Sequence, residues 1–299
     1  MTRNNEGRTQ IPPELFEQFM KQQEQKYTQQ PQQPAPQPAP QPIPNVNVGG
    51  YSVPTDFVDL PSQGKFYPEN HPWYNKEQVE VRFMTTKEED IITSPALAQK
   101  GLTFDKLIES VCVDRVAAKT ILPGDKSAIL INCRKNSYGD EYEFDSFCQV
   151  CESPYTEKIK LSELKNKEID YSGYNITSNN TFVVTTPVSK VSVEFKMYDA
   201  KDEDHINKQA ETRRRHNLPE ETVAATHRRM IQSVNGEVNE AVINSFVGSL
   251  LLKDSRFLQK SYLAVKPDVD LVHEHKCVVC GHENKGGVPF GASFFWSDI

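Results

Sequence analysis

The feature that most constrains this chain is a pair of Cys-x-x-Cys motifs, Cys148-Gln149-Val150-Cys151 and Cys277-Val278-Val279-Cys280. Two intervening residues let both sulfurs of a motif turn toward one point. Together the motifs therefore offer the four thiolates that a structural zinc ion takes in a closed tetrahedral site. The alternating run Tyr142-Glu143-Phe144-Asp145-Ser146-Phe147 leads into the first motif as a strand would. Gly281-His282 follows the second, with a glycine that frees the backbone to turn its amides toward sulfur. Zinc ribbons commonly separate their pairs by about 15–20 residues, whereas most of a domain lies between these two. Closing so long a loop costs about 4–5 kcal/mol, against about 10–16 kcal/mol for a structural zinc in peptides. The metal prevails wherever the fold brings the motifs together. A disulfide or redox role for either pair, and unliganded thiols, stay open as alternatives. His273, His275 and His282 are reserve ligands, needed only if one thiol is absent from the site.

Of the 299 residues, the first fifty do not read as foldable, which leaves one large domain or two small ones. An apolar content of 37% with 15 Phe and 11 Tyr is enough for a core. A net charge of -7 and a pI near 5.6 argue against a general binder of nucleic acid or anionic membrane. No basic stretch followed by an apolar run opens the chain, which argues against secretion. The longest apolar stretch, residues 242–252, is interrupted by Asn244, Ser245, Gly248 and Ser249 and is too short to span a bilayer. Six cysteines without a signal fit a reducing compartment, where paired Cys-x-x-Cys means metal more often than disulfide. Cys112 and Cys133 stand alone among apolar neighbours and read as buried small hydrophobes.

Residues 1–50 read as a disordered arm carrying one short amphipathic helix. Ile11, Leu15, Phe16, Phe19 and Met20 share a helical face that Pro12 and Pro13 start, and they form a candidate partner-binding element. Gln-Pro repeats follow to Pro44, an extended tether with no core to pack on. The bland reading is a tail that rests on its own domain or stays unfolded.

From Tyr51 the composition changes, and residues 51–299 are expected to form an α+β domain: a short antiparallel sheet, several helices and a four-cysteine zinc knot. Val79, Val81 and Phe83 alternate as a half-buried strand, and Thr86-Lys87-Glu88-Glu89 reads as a capping box. Phe104, Leu107, Ile108 and Val111 make an amphipathic helix, and another starts near Pro123 with Asp125 in its first turn. Phe182-Val183-Val184 and residues 191–195 read as an antiparallel hairpin turned through Pro187. Further on, Val223, His227, Met230, Ile231 and Val234 are placed on one helical face. Residues 238–252 read as a broad apolar helix at the centre of the core.

Catalytic signatures are missing: there is no phosphate-cradling glycine loop, no nucleophile elbow and no His-Glu-x-x-His helix. The acidic runs Glu88-Glu89-Asp90 and Asp202-Glu203-Asp204 read as solvated first turns of helices. The cluster Arg213-Arg214-Arg215-His216 with Arg228-Arg229 could contact phosphates, which makes a zinc-ribbon nucleic-acid binder the main alternative. The acidic flanks Asp202, Glu203, Glu220 and Glu221 favour ion pairing instead. A metalloenzyme with an open zinc site is the second competitor. Trp73, Tyr74, Phe294, Phe295 and Trp296 are candidate contact anchors or core.

In order along the chain, Leu60-Pro61-Ser62-Gln63-Gly64-Lys65-Phe66-Tyr67-Pro68, the strand ending at Met84 and the helix at residues 102–111 are followed by Gly124-Asp125, Arg134, Tyr138-Gly139 and Cys148/Cys151. That order resembles the baseplate hub subunits and hub assembly proteins of T-even-type tailed myophages. The match is close over residues 56–163 and looser over the C-terminal third, where Cys277/Cys280 and Phe294-Phe295-Trp296 fit it. The resemblance implies a non-enzymatic protein that binds other hub and tail proteins during contractile-tail baseplate assembly. It places the chain in the host cytoplasm, and in the virion tail baseplate if it is retained. It implies no small-molecule substrate and no membrane. The Pro/Gln arm departs from the family pattern, so its docking role rests on its own residues.

Overall fold

The computed structural model describes residues 45–290 and residues 294–295. The arm face of Ile11, Leu15, Phe16, Phe19 and Met20 lies outside the described residues, as does Trp296. The described chain is α+β, with eight α-helices and four small antiparallel sheets.

β1 (Asn45–Val48) and β2 (Tyr51–Asp59) turn on Gly49-Gly50, both at positive φ, as a two-residue hairpin loop requires. β3 (Gln78–Arg82) completes this sheet. The β2–β3 connection is long but anchored: Trp73 and Leu60 are buried, and a Cβ on Gly64 (φ +70°) would lie 2.3 Å from the Lys76 amide nitrogen. α1 (Thr86–Ile92) opens on a capping box, one residue earlier than expected, with Thr85 as cap and Glu88 as its reciprocal partner. α2 (Pro95–Gln99) and α3 (Thr103–Val111) follow; Leu107, Ile108 and Val111 face the core.

α4 (Pro123–Tyr138) starts on proline and stops at Gly139, φ +97°. Its Asp125 does more than complement the helix dipole. The buried carboxylate accepts from the Ser62 amide (2.9 Å), the Ser62 hydroxyl (2.6 Å) and the Tyr67 hydroxyl (2.6 Å), fastening the β2–β3 connection to the helix. Burial pushes its acid pKa up to about 6 even against those donors. β4 (Glu141–Phe147) and β5 (Pro154–Lys160) form the first of two similar hairpins. The short β6 (Asn175–Ile176), β7 (Phe182–Thr185), β8 (Ser192–Phe195) and β9 (Ile231–Val234) form a four-stranded sheet in that order.

α5 (Ala200–Arg215) and α6 (Thr222–Met230) lie between β8 and β9. The face expected to join Val223 to Val234 is therefore split, because the chain turns extended at Ile231 to pair with β8. α7 (Glu240–Ser249) corrects another expectation. The reach 238–252 is not one central helix, since the chain breaks at Leu250–Leu251 and only Ile243 and Val247 of α7 are buried, while Val238 is 76% exposed. The core position belongs to α8 (Leu252–Val265) through Leu258, Tyr262 and Val265. β10 (Val272–Lys276) and β11 (Glu283–Gly287) make the second hairpin. Phe294 and Phe295 are buried: Phe294 meets Tyr142 edge-on at 4.9 Å, and its carbonyl accepts from Arg134 Nε at 3.0 Å. The C-terminal segment is thereby packed on α4 and β4, which sets the two hairpins side by side. Trp73, Phe294 and Phe295 are core residues, and Tyr74 is half-buried.

Candidate metal centre

Each Cys-x-x-Cys motif is the tip of a hairpin, and the two tips repeat one backbone pattern. The Glu152 amide donates to the Cys148 carbonyl (3.0 Å), and the Gly281 amide to the Cys277 carbonyl (2.9 Å). The Cys148 amide donates to Ser153 O (3.0 Å), and the Cys277 amide to His282 O (2.8 Å). The residue after the second cysteine is left-handed in both, Glu152 at φ 56° and Gly281 at φ 72°. The glycine makes that turn legible in the second motif; in the first a glutamate adopts it at some steric cost.

The four sulfurs of Cys148, Cys151, Cys277 and Cys280 lie within 4.8 Å of one another. Cys148 Sγ stands 3.7 Å from Cys280 Sγ, and Cys151 Sγ 3.6 Å from Cys277 Sγ. A disulfide needs about 2.05 Å, so neither contact is one. A tetrahedron with zinc–sulfur bonds of about 2.3 Å has edges of about 3.8 Å, close to these two separations. The residues present fit a metal ion, and four soft sulfur donors suit zinc among common divalent ions.

Electrostatics point the same way. The Ser153 hydroxyl and the Cys280 and Val279 amides hold the Cys277 thiol down to about 5. The amides of Cys151 and Val150 lower that of Cys148. Cys280 takes the His282 amide, yet the adjoining sulfurs, Cys151 foremost, drive it up to about 12. Amide dipoles thus favour thiolate at two positions while crowding opposes charge at a third, an imbalance that a cation relieves. By contrast Cys112 and Cys133 are buried and inert, and burial pushes Cys112 up to about 12.

Asn284, which sequence reasoning passes over, ties the hairpins together. Its buried side chain accepts from the Gln149 amide at 2.8 Å and donates to His282 O at 3.3 Å, so it touches both knuckles. No spacing rule marks it, because it acts across 135 residues of chain. Of the reserve ligands, His275 and His273 serve packing: the His275 ring stacks on Tyr155 at 3.8 Å with its Nδ1 2.7 Å from Glu157, and His273 meets Phe144 edge-on at 5.0 Å.

Other candidates resolve into structure. Arg213 pairs with Glu221 (2.6 Å), Arg214 with Glu220 (2.8 Å) and Arg215 with Glu211 (2.5 Å). Their charges are answered within the chain, in keeping with the flanking glutamates. The acidic runs are exposed at Glu89, Asp90 and Glu203 as expected for helix first turns, but Glu88 and Asp202 are buried rather than solvated. Glu88 pairs with Arg82 at 2.6 Å and Asp202 with Lys196 at 2.6 Å. His227 is buried with Ser255 Oγ at 2.8 Å, and burial lowers its pKa to about 4. No described helix is long and apolar enough to cross a membrane.

Comparison with known proteins adds family evidence to this geometry. A family described as T4 bacteriophage base plate protein matches residues 54–296. No curated protein and no solved structure gives a significant match. The matched span runs from β2 past both hairpins, and by it the chain belongs to the T4 bacteriophage base plate protein family.

Proposed function

We propose that this chain is a non-enzymatic hub or hub-assembly subunit of the baseplate. It binds other tail proteins while the contractile tail is built in the host cytoplasm, and its four-cysteine knot holds Zn²⁺ as a structural ion. The observation that carries this reading is the surface of the knot. Around the four sulfurs stand Phe147 (65% exposed), Val150, Val278 (93% exposed) and Val279, all turned to solvent. Four exposed apolar side chains on two chain-distant knuckles share one tip only while the knuckles are clamped, and exposed apolar side chains gathered on rigid supports mark protein interfaces. Four thiolates leave a zinc ion no position for water, so the ion serves as a clamp and not as a Lewis acid. The arm face of Ile11, Leu15, Phe16, Phe19 and Met20 is a further docking element in this proposal, of the helix-in-groove kind.

Co-expression with tail hub components, followed by size exclusion and metal analysis, tests the proposal. The wild type should co-elute with a tail protein and carry about one zinc per chain, the occupancy of a four-ligand site. The double variant Val278→Asp, Val279→Asp should keep its metal and lose its partner. Elution of the wild type apart from every tail protein would reject the assembly role. Retention on DNA or RNA that falls steeply with salt would favour a nucleic-acid binder instead.

A further inference from the structure

A second surface stands apart from the knot. Between α8 and the β7–β8 turn lies a cleft of about 520 Å³ lined by Pro187, Leu252, Lys253, Arg256, Phe257 and Lys260. Its wall is held firmly: the buried Asp254 carboxylate accepts from the Val188 amide (2.9 Å) and the Ser189 amide (3.0 Å), pinning the turn to the helix. Leu252 is 69% exposed at the rim and Val188 is also exposed, so the apolar lining is unfinished. Lys253, Arg256 and Lys260 recur at the three- and four-residue steps that put side chains on one helical face. All three are exposed, and among the described residues none forms an ion pair. The clustered arginines of α5 each have their glutamate, which makes this stripe different in kind. Like charges at this spacing repel and do nothing for the helix. They sit on a chain whose net charge is -7.

We propose that this cleft docks an acidic segment of a partner protein, anchored by a leucine or aromatic side chain. A purely apolar partner would cover three cations of which, among the described residues, only Lys253 feels a nearby carboxylate, that of the buried Asp254, and such burial is costly. A phosphate backbone would answer the cations and leave Leu252, Phe257 and Pro187 unused. A segment with carboxylates flanking an apolar anchor satisfies both halves of the site. That the occupant is a protein rests on the assembly role proposed above; the site chemistry stands on the cleft alone.

The test uses the full chain and a fluorescein-labelled helical peptide with glutamates on one face and leucines and a phenylalanine on the other, read by anisotropy. The triple variant Lys253→Glu, Arg256→Glu, Lys260→Glu, which alters only exposed side chains, should weaken binding about tenfold or more. Peptides with Glu→Gln or with Leu→Ser should each lose about tenfold. The knot variant Val278→Asp, Val279→Asp should bind the peptide as the wild type does. Equal affinity of wild type and triple variant, or no binding by the wild type, overturns the proposal. So does an unchanged affinity for the Leu→Ser peptide together with displacement by a single-stranded oligonucleotide, which would mark a polyanion site. Peptide binding that persists while the wild type co-elutes with no tail protein upholds the cleft and rejects the assembly role. Co-elution without peptide binding does the reverse.

Discussion

Removing the metal should loosen the protein by an amount that the topology sets. An ion held between Cys151 and Cys277 closes a loop of 126 residues. Closing that span costs about 5 kcal/mol at 25 °C, so of the about 10–16 kcal/mol of a structural zinc a net of at least about 5 kcal/mol is lost with the ion. For domains of this size each kcal/mol moves Tm by about 2–4 °C, so metal-free protein should melt about 10–20 °C lower. The assay is thermal unfolding by circular dichroism under reducing conditions, before and after dialysis against a strong zinc chelator, with metal content measured in parallel. Cys277→Ser should start near the chelated wild type and respond little to chelator. Cys112→Ala, away from the knot, should keep the metal and its chelator response. A wild type that purifies metal-free, with a Tm that chelator does not move, would refute the clamp. The apolar tip would then have no reason to be rigid.

Two other outcomes follow from single contacts. Burial alone would raise the Glu88 carboxyl, but hydrogen bonds from Arg82, Ser110 and Thr85 hold it down to about 2 from 4.5. A depressed acid stabilises the fold above its unfolded pKa, here by about 3 kcal/mol, and that contribution drains away as pH falls from about 4.5 toward 2. Glu88→Gln should flatten this acid limb and cost about 3–5 kcal/mol at neutral pH by stranding the Arg82 charge, as urea titrations at several pH values would show. Asn284→Ala leaves the Gln149 amide without its acceptor and should cost about 1–3 kcal/mol by the same titration. It should also weaken metal retention about tenfold or more in a chelator competition.

Much of the candidate site can be read directly. Cys148/Cys151 and Cys277/Cys280 are legible because a two-residue spacing is a local constraint, and Gly281 because a left-handed turn favours glycine. The α3 and β7–β8 patterns are legible for the same reason, since side-chain periodicity depends only on near neighbours. The burial of Glu88 escapes a local reading because it depends on Arg82, which a strand outside its own helix delivers. The span 238–252 misleads because hydrophobicity says that a segment can be buried, not that another element is there to cover it.

The amino-acid order alone settled the inventory: an α+β chain, four thiols in two knuckles, a basic cluster with its own glutamates nearby, and a family likeness carried by ordered motifs. Folding settled who meets whom. The packing of Phe294 on Tyr142 brings the second hairpin to the first. Asn284 locks their tips, and the same arrangement leaves Phe147, Val150, Val278 and Val279 facing water. These relations span 126 to 152 residues of chain. At that separation contact is decided by the sum of all packing in between, and no local pattern encodes it.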